Sequence, residues 1–261
     1  MHLYMKTLLL LLPVMLMAMP IVAASYISIQ SYIATTENET TVKVTNFGDE
    51  AAYNVQLSLD INNKKTASNV QRQLGVRESF EWAVPLNFES KNPGKYPIIL
   101  TTNYQDANSY PFSAISVSTA DYKQATISDI AAKINNLELS DKGLLELKIK
   151  NTAETAKEIG IRLIVPKELT ADNDRLSLNL PPKTEKTVRF DLGKFSALAK
   201  SSYAVFAVIE YDEGSRHYTS MANGVVKITE KKNIFTNQSL LIGFLVILLI
   251  IFIYFQLKKK N

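Results

Sequence analysis

Four side chains of the kind that hydrolases use lie close together late in this sequence. Asp212, Glu213, Ser215 and His217 fall within about six residues, and His217 is the only histidine after residue 2. A serine hydrolase needs a base within hydrogen-bond reach of its nucleophile and an acid that orients the base. Ser215 and His217 would share one face of a strand, where neighbouring side chains rarely align for proton transfer. The chain also has no Gly-x-Ser-x-Gly motif, which would place a serine on a nucleophile elbow.

The same segment is also typical of a turn between two strands. In EYDEGSRHY, Gly214 would supply the positive φ that a tight hairpin needs. An internal repeat aligns this segment with NYQDANSY, which contains neither histidine nor glycine. We therefore predict a hairpin with no catalytic residues, and we expect a protein that is not an enzyme.

The repeat covers most of the middle of the chain, with an offset of about 105 to 107 residues. TVKVTNFGDEAAYNVQLSLDI matches LLELKIKNTAETAKEIGIRLIVP, and QLGVRESFEWAVPL matches NLPPKTEKTVRFDL. KYPIILTTNYQDANSYPFS then matches SYAVFAVIEYDEGSRHYTS, so that Tyr96 falls on Tyr203 and Tyr104 on Tyr211. In the first pair, Asn46 falls on Asn151 at the end of an alternating strand.

Each copy has the pattern of about seven short strands separated by turn residues, which is typical of a β-sandwich. We predict an all-β fold of two tandem Ig-like β-sandwich domains. Residues 127–136 suit either one or two helical turns or a linker that leads into a strand. The predicted strands of the first copy are 26–34, 39–46, 53–61, 69–74, 79–85, 96–104 and 108–118, and those of the second are 131–139, 144–151, 159–166, 175–180, 186–190, 203–211 and 217–229.

The two copies resemble CARDB-like (cell-adhesion-related) tandem Ig-like domains of prokaryotic, especially archaeal, surface proteins. The segments that carry the resemblance are VKVTNFG, LKIKNTA, LPPKTEKTVRFDL and YAVFAVIEYDEG. The resemblance covers about 200 residues, roughly two domains of ordinary size. It implies a surface adhesion, scaffold or accessory module, and it implies no active site.

Composition removes several classes of site. The chain has no cysteine, which excludes disulfides, thiolate metal sites and cysteine nucleophiles. The segment DNDRLS, at residues 172–177, lacks the glycine and bidentate glutamate of a calcium loop, so we interpret it as a solvated loop. Gly-rich phosphate loops are also absent. We expect no metal site and no cofactor.

Charge gives no indication of nucleic-acid binding. The formal net charge is +4, and four of the 29 basic residues are Lys6 and the three lysines at 258–260. The other 25 basic residues balance the 25 acidic ones. The segment between the two ends is therefore neutral, and we expect no nucleic-acid partner.

Both ends of the chain have the pattern of membrane-targeting segments. Lys6 precedes an apolar run, and small residues lead up to Ala24, which predicts a secretory signal peptide; an uncleaved signal anchor is the alternative. Residues 239–257 carry no charge and would form roughly 28 Å of helix at 1.5 Å per residue. Three lysines follow at once, which places this end in the cytoplasm by the positive-inside rule.

These observations predict a single-pass type I protein of the cell membrane, with its N-terminal domains extracytoplasmic and its C-terminal tail cytoplasmic. The predicted segments are a signal peptide (1–24), a first Ig-like domain (25–122), a second Ig-like domain (126–230), a juxtamembrane linker (231–238), a transmembrane helix (239–257) and a cytoplasmic tail (258–261).

Two further groups of residues have both a functional and a structural interpretation. Asn38 and Asn237 each begin an N-glycosylation sequon, and either is a possible site of glycosylation if the organism uses it. Five aromatic residues could form a carbohydrate platform, but their alternation on strands favours packing inside the sandwich. They are Trp82, Tyr96, Tyr104, Tyr203 and Tyr211.

We expect a non-enzymatic, membrane-anchored extracytoplasmic adhesion or scaffold protein that binds a protein, an envelope layer or a glycan. The alternative is an accessory subunit of a membrane transport or export complex, in which the helix would itself be a contact surface. Gly243 is the only small residue in the apolar part of that helix, so the chain has no small-xxx-small packing motif there.

Overall fold

The computed structural model describes residues 26–86, 88, 92–230 and 237–258, with helix side chains described at 242–252 and 255. The predicted signal peptide, residues 231–236 of the predicted linker and residues 259–261 of the tail lie outside the described residues. The chain divides into two compact units. The first unit is Met1–Ser128 with Glu210–Ser220, and the second is Asp129–Ile209 with Met221–Asn261.

The first unit contains two β-sheets. One has the strand order β1-β2-β6, and in the other β8, β7 and β3 are neighbours, with β4 and β5 both on the far edge of β3. All these pairings are antiparallel. The strands are β1 (Ile29–Thr35), β2 (Glu39–Asn46), β3 (Ala52–Ile61), β4 (Lys64–Ala67), β5 (Gln71–Leu74), β6 (Ser79–Pro85), β7 (Gly94–Gln105) and β8 (Pro111–Tyr122).

The core of the first unit lies between these two sheets. Val42 and Val44 of β2 are fully buried, and Lys43 between them is exposed. Leu57 of β3 and Ile98 and Leu100 of β7 join the same buried cluster from the other sheet. Alternate residues of a strand point to opposite faces, so the period-2 pattern in the sequence places one apolar row per strand inside the sandwich.

The second unit repeats this arrangement. One sheet has the order β14-β12-β16-β17-β10 and the other β13-β15-β11-β9. The order β9-β11-β15 matches β1-β2-β6, and β14-β12-β16-β17 matches β5-β3-β7-β8. The strands are β9 (Ile130–Ile134), β10 (Leu137–Leu139), β11 (Lys142–Asn151), β12 (Lys157–Ile164), β13 (Leu169–Ala171), β14 (Arg175–Leu180), β15 (Glu185–Lys194), β16 (Ser202–Glu213) and β17 (Arg216–Ile228).

Asn46 and Asn151 end equivalent strands and make equivalent hydrogen bonds. The Nδ2 of Asn46 donates to the carbonyl of Glu50 at 2.7 Å, and its Oδ1 accepts from the amide of Gly48 at 3.0 Å. The Nδ2 of Asn151 donates to the carbonyl of Thr155 at 2.8 Å, and its Oδ1 accepts from the amide of Ala153 at 2.9 Å. Both side chains are fully buried. The Asn that the repeat alignment singled out therefore holds the turn after the strand in both copies.

The predicted strand 131–139 is two strands in the structure, β9 and β10. Two further short strands, β4 and β13, were not predicted. Each is three or four residues long and lies against a longer strand, so its sequence is too short for a period-2 pattern to be recognised. Of the two alternatives for residues 127–136, the structure has the one without helix, because β9 forms there as an edge strand against β11.

Helix α1 (Asn237–Lys258) follows the second unit's last strand in the sequence. Within the part of the chain that the structure describes, we find no helix that is both long enough and apolar enough to cross a bilayer. The described residues that precede α1 thus form an all-β fold. The transmembrane assignment of residues 239–257 stays a prediction.

Candidate functional site

The segment that resembled a hydrolase site is a β-hairpin. Strand β16 ends at Glu213 and β17 begins at Arg216, which leaves Gly214 and Ser215 as the turn. Gly214 has φ of 60°, as predicted for the residue that lets the chain reverse. The end of this hairpin, Glu210–Ser220, belongs to the first compact unit.

The side chain of His217 bonds two carboxylates from the neighbouring strand. Its Nδ1 lies 2.9 Å from Oδ1 of Asp212, and its Nε2 lies 3.3 Å from Oε1 of Glu210. Glu210 and Asp212 are two residues apart on β16, so both point to the face of the hairpin on which the imidazole lies. The side chain of His217 is only 12% exposed. We call these three residues, with Tyr96, the His217 cluster.

Tyr96 supplies the surface on which the imidazole rests. The two rings are stacked, with centroids 4.1 Å apart and planes within 6°. The hydroxyl of Tyr96 donates to the backbone carbonyl of Asn92 at 2.8 Å, and the side-chain Nδ2 of Asn92 donates to Oδ1 of Asp212 at 3.4 Å. The stacked ring and the carboxylate are thereby joined through one short segment of chain before β7.

Backbone bonds hold the hairpin against the start of β7. The amide of His217 donates to the carbonyl of Pro93 at 2.9 Å, and its own carbonyl accepts from the hydroxyl of Thr126 at 2.8 Å. Gly94 pairs with His217 in parallel register and has φ of 153°. A Cβ at Gly94 would overlap the carbonyl of His217, so glycine is required for this close approach.

The carboxylates favour the protonated form of His217. Burial by itself disfavours the imidazolium, but the hydrogen bonds to Glu210 and Asp212 and the charges of both carboxylates outweigh it. The pKa of His217 therefore lies above its ordinary value. At neutral pH a larger fraction of this side chain is charged than in a free histidine, and that charge sits between two negative groups.

This geometry contains the acid–histidine pair of a hydrolytic triad but not the nucleophile. Asp212 is placed on Nδ1 as an orienting acid would be, but Nε2 faces Glu210 in the position that a serine nucleophile would take. The cluster is arranged to hold a proton between two strands. Among the residues that the structure describes, no group of three or more His, Asp or Glu side chains is placed to hold a metal ion.

Of the five aromatic residues that the sequence singled out, Tyr96 belongs to the His217 cluster. Tyr96, Tyr203 and Tyr211 are buried, as expected for packing residues, and Trp82 and Tyr104 are partly buried. The DNDRLS segment was interpreted as a solvated loop, but only its first three residues, 172–174, are an exposed loop. Residues 175–177 begin strand β14.

The two N-glycosylation sequons lie in different kinds of structure. Asn38 is exposed in the turn between β1 and β2, whereas the hydroxyl-bearing Thr40 of the same sequon is fully buried on β2. Asn237 is the first residue of α1.

Comparison with known proteins leaves the family open. No protein-family model matches the chain, and no curated protein sequence matches it. Trypsin-activated alpha-2-macroglobulin from Escherichia coli is similar at 9% identity, over 78% of this chain and 18% of that chain, with a TM-score of 0.32. Salmonella alpha-2-macroglobulin reacted with methylamine is similar at 12% identity, over 77% of this chain and 16% of that chain, with a TM-score of 0.29.

Red sea bream transglutaminase is also similar, at 10% identity, over 80% of this chain and 32% of that chain, with a TM-score of 0.26. This chain therefore spans less than a third of each of these proteins. At such identities and TM-scores, none of the three indicates what the chain does.

Proposed function

We propose that this chain is a non-enzymatic, membrane-anchored extracytoplasmic protein that displays two Ig-like, CARDB-like sandwiches for adhesion or scaffolding. Its partner would be a protein, an envelope layer or a glycan. The observation that carries the proposal is the combination of a duplicated β-sandwich unit with a C-terminal helix whose described side chains from Ile242 to Phe252 are apolar apart from Gly243. The first part supplies a surface for contacts, and the second supplies a means of attachment to a bilayer.

The helix supports attachment because its described apolar side chains are left uncovered on every face. From Ile242 to Phe252, leaving aside Gly243, each is between 46% and 60% exposed. A helix that is hydrophobic all round needs an apolar surrounding, either a protein core or lipid. The sequence places Lys258, Lys259 and Lys260 directly after the apolar run, as at the cytoplasmic end of a membrane anchor.

The sandwiches support a binding role because their loops and strand edges offer contact surfaces on a rigid frame. The His217 cluster supports the non-enzymatic part, because both imidazole nitrogens are already bonded to carboxylates on the same hairpin. A base so engaged has no free nitrogen to activate a hydroxyl in this conformation.

Single-cysteine labelling in intact cells tests the topology, since the natural chain has no cysteine. Ile127, which is 88% exposed in the first unit, and Asn261 at the C-terminus are each replaced by cysteine. We expect a membrane-impermeant maleimide to label the Ile127→Cys variant in intact cells and the Asn261→Cys variant only after permeabilisation. Labelling of both in intact cells, or of the tail alone, would contradict the proposal.

Exchange of residues 239–261 for an unrelated membrane anchor separates simple attachment from membership of a transport or export complex. If the helix is only an anchor, the exchanged protein keeps its crosslinked partners and its phenotype. Loss of both, with normal surface labelling at position 127, would instead favour the accessory-subunit alternative.

A further inference from the structure

A short loop of the second unit presents large apolar side chains to solvent. It joins β15 to β16 at residues 195–201, and we call it the Phe195 loop. Phe195 is 75% exposed and Leu198 is 43% exposed. Between them, Ala197 is buried and fixes the loop to the sandwich. Single exposed apolar residues are common on protein surfaces, so the exposure alone does not indicate a binding site.

The Phe195 loop is held rigidly in this position. The amides of Phe195 and Ser196 both donate to the carbonyl of Glu168, at 3.0 and 3.1 Å. The amide of Leu198 donates to the hydroxyl of Tyr203 at 3.0 Å. Two apolar side chains on a fixed backbone lose little conformational entropy when something covers them, which favours binding.

The loop lies at the end of the second unit from which the chain continues to α1. The amide of Lys200 donates to the carbonyl of Ile228, the last residue of β17, and the amide of Ile228 donates back to the carbonyl of Ser201. Asn237, the first residue of α1, follows Ile228 by nine residues. Nine residues span at most roughly 30 Å, so a helix in a bilayer keeps this end of the unit close to the lipid surface.

The residues around the loop suit a lipid headgroup region. Lys194 precedes Phe195 directly, and Lys200 closes the loop and pairs with Glu230 at 3.2 Å. Aromatic and aliphatic side chains flanked by lysines are typical of segments that sit at the membrane–water boundary. Glu168, whose carbonyl bonds the loop, is fully buried.

We propose that the Phe195 loop is a lipid-contact site, with Phe195 and Leu198 inserted into the headgroup region of the membrane that holds α1. This inference rests on the proposed membrane attachment. The second unit would then contact the bilayer directly, and would not be connected to it through the linker alone.

Tryptophan quenching by brominated lipids tests the contact on the full chain in phosphatidylcholine vesicles. Trp82 is the only tryptophan, so Trp82→Phe gives a silent background. Into this background we introduce Phe195→Trp, Leu249→Trp in α1, or Glu154→Trp. Glu154 lies in the turn at the opposite end of the second unit, roughly 30 Å away along the ten residues of β15.

We expect loss of emission for Phe195→Trp and Leu249→Trp and full emission for Glu154→Trp. If Leu249→Trp is quenched and Phe195→Trp is not, the lipid-contact site is overturned and the membrane anchor is kept. The Phe195 loop would then be one that binds a protein. Equal quenching of Phe195→Trp and Glu154→Trp would also overturn it, since contact would not be specific to the loop. Full emission from Leu249→Trp would overturn the anchor itself, and the inference with it.

Discussion

The imidazole of His217 lies flat on the ring of Tyr96, at a centroid distance of 4.1 Å, while both of its nitrogens reach carboxylates of the facing strand. This pair joins residues from two different copies of the repeat into one compact unit. The charge of the imidazole therefore contributes to the stability of the first unit.

Raising the pH should weaken the first unit through His217. Its pKa is raised in the folded state, so its stabilising contribution is complete below the ordinary histidine pKa of about 6.5 and is lost as the pH rises through the folded-state value. We expect the melting temperature of the detergent-solubilised full chain to fall across this window. The His217→Phe variant keeps a stacked ring without a proton, so it should lack this part of the pH dependence. If the melting temperatures of the natural protein and the His217→Phe variant fall equally with pH, the prediction is refuted.

Substitution of Gly94 should damage the attachment of the hairpin more than substitution of Gly214. Both glycines have positive φ, but a Cβ at Gly94 would overlap the carbonyl of His217, whereas a Cβ at Gly214 would meet nothing within 4 Å. Gly214→Ala should therefore cost only the backbone term of about 1–2 kcal/mol. Gly94→Ala should cost clearly more, measured by chemical denaturation. Similar losses in the two variants would mean that the hairpin does not approach β7 so closely.

The two buried asparagines should each be needed for the stability of their own unit. Replacement of Asn46 or Asn151 by alanine removes the amide that bonds the following turn and leaves buried backbone groups without partners. We expect each change to cost about 2–4 kcal/mol in the free energy of unfolding. Asn173→Ala, at an exposed loop position, is the matched control and should be nearly neutral. A neutral effect at Asn46 or Asn151 would show that other groups hold these turns.

Replacement of either of two buried threonines by valine should stabilise the first unit. The hydroxyls of Thr40 and Thr102 are fully buried and have no hydrogen-bond partner among the residues that the structure describes. Thr→Val at either site removes an unpaired polar group at nearly constant volume, and we expect a gain of about 1 kcal/mol in stability. Thr219→Val is the contrasting control, because the hydroxyl of Thr219 donates to the carbonyl of Lys95 at 2.6 Å. That variant should lose stability in the same denaturation experiment, and loss in all three would contradict the prediction.

The sequence alone determined the parts of this fold that depend on local pattern. Alternation of apolar residues set which face of each strand is buried, as at Val42 and Val44 of β2. The repeat placed Asn46 and Asn151 at equivalent turns. Gly214 marked the hairpin, because glycine adopts a positive φ without steric cost. These features involve neighbours within a few residues, so their physical cause is visible in the sequence itself.

Only the tertiary structure decided where the hairpin lies and what His217 touches. Glu210 was not recognised as a partner of His217, and the link between Thr219 and Lys95 joins residues 124 apart in the sequence. The sequence held one signal of this contact. The PGKY segment has Gly94 where the second copy has serine, and the absence of a side chain at Gly94 lets the backbone of His217 approach closely. Contacts at such separations depend on how packed surfaces fit together. Strand periodicity does not encode that fit, so the chemistry of His217 follows from the fold and not from its neighbours in the chain.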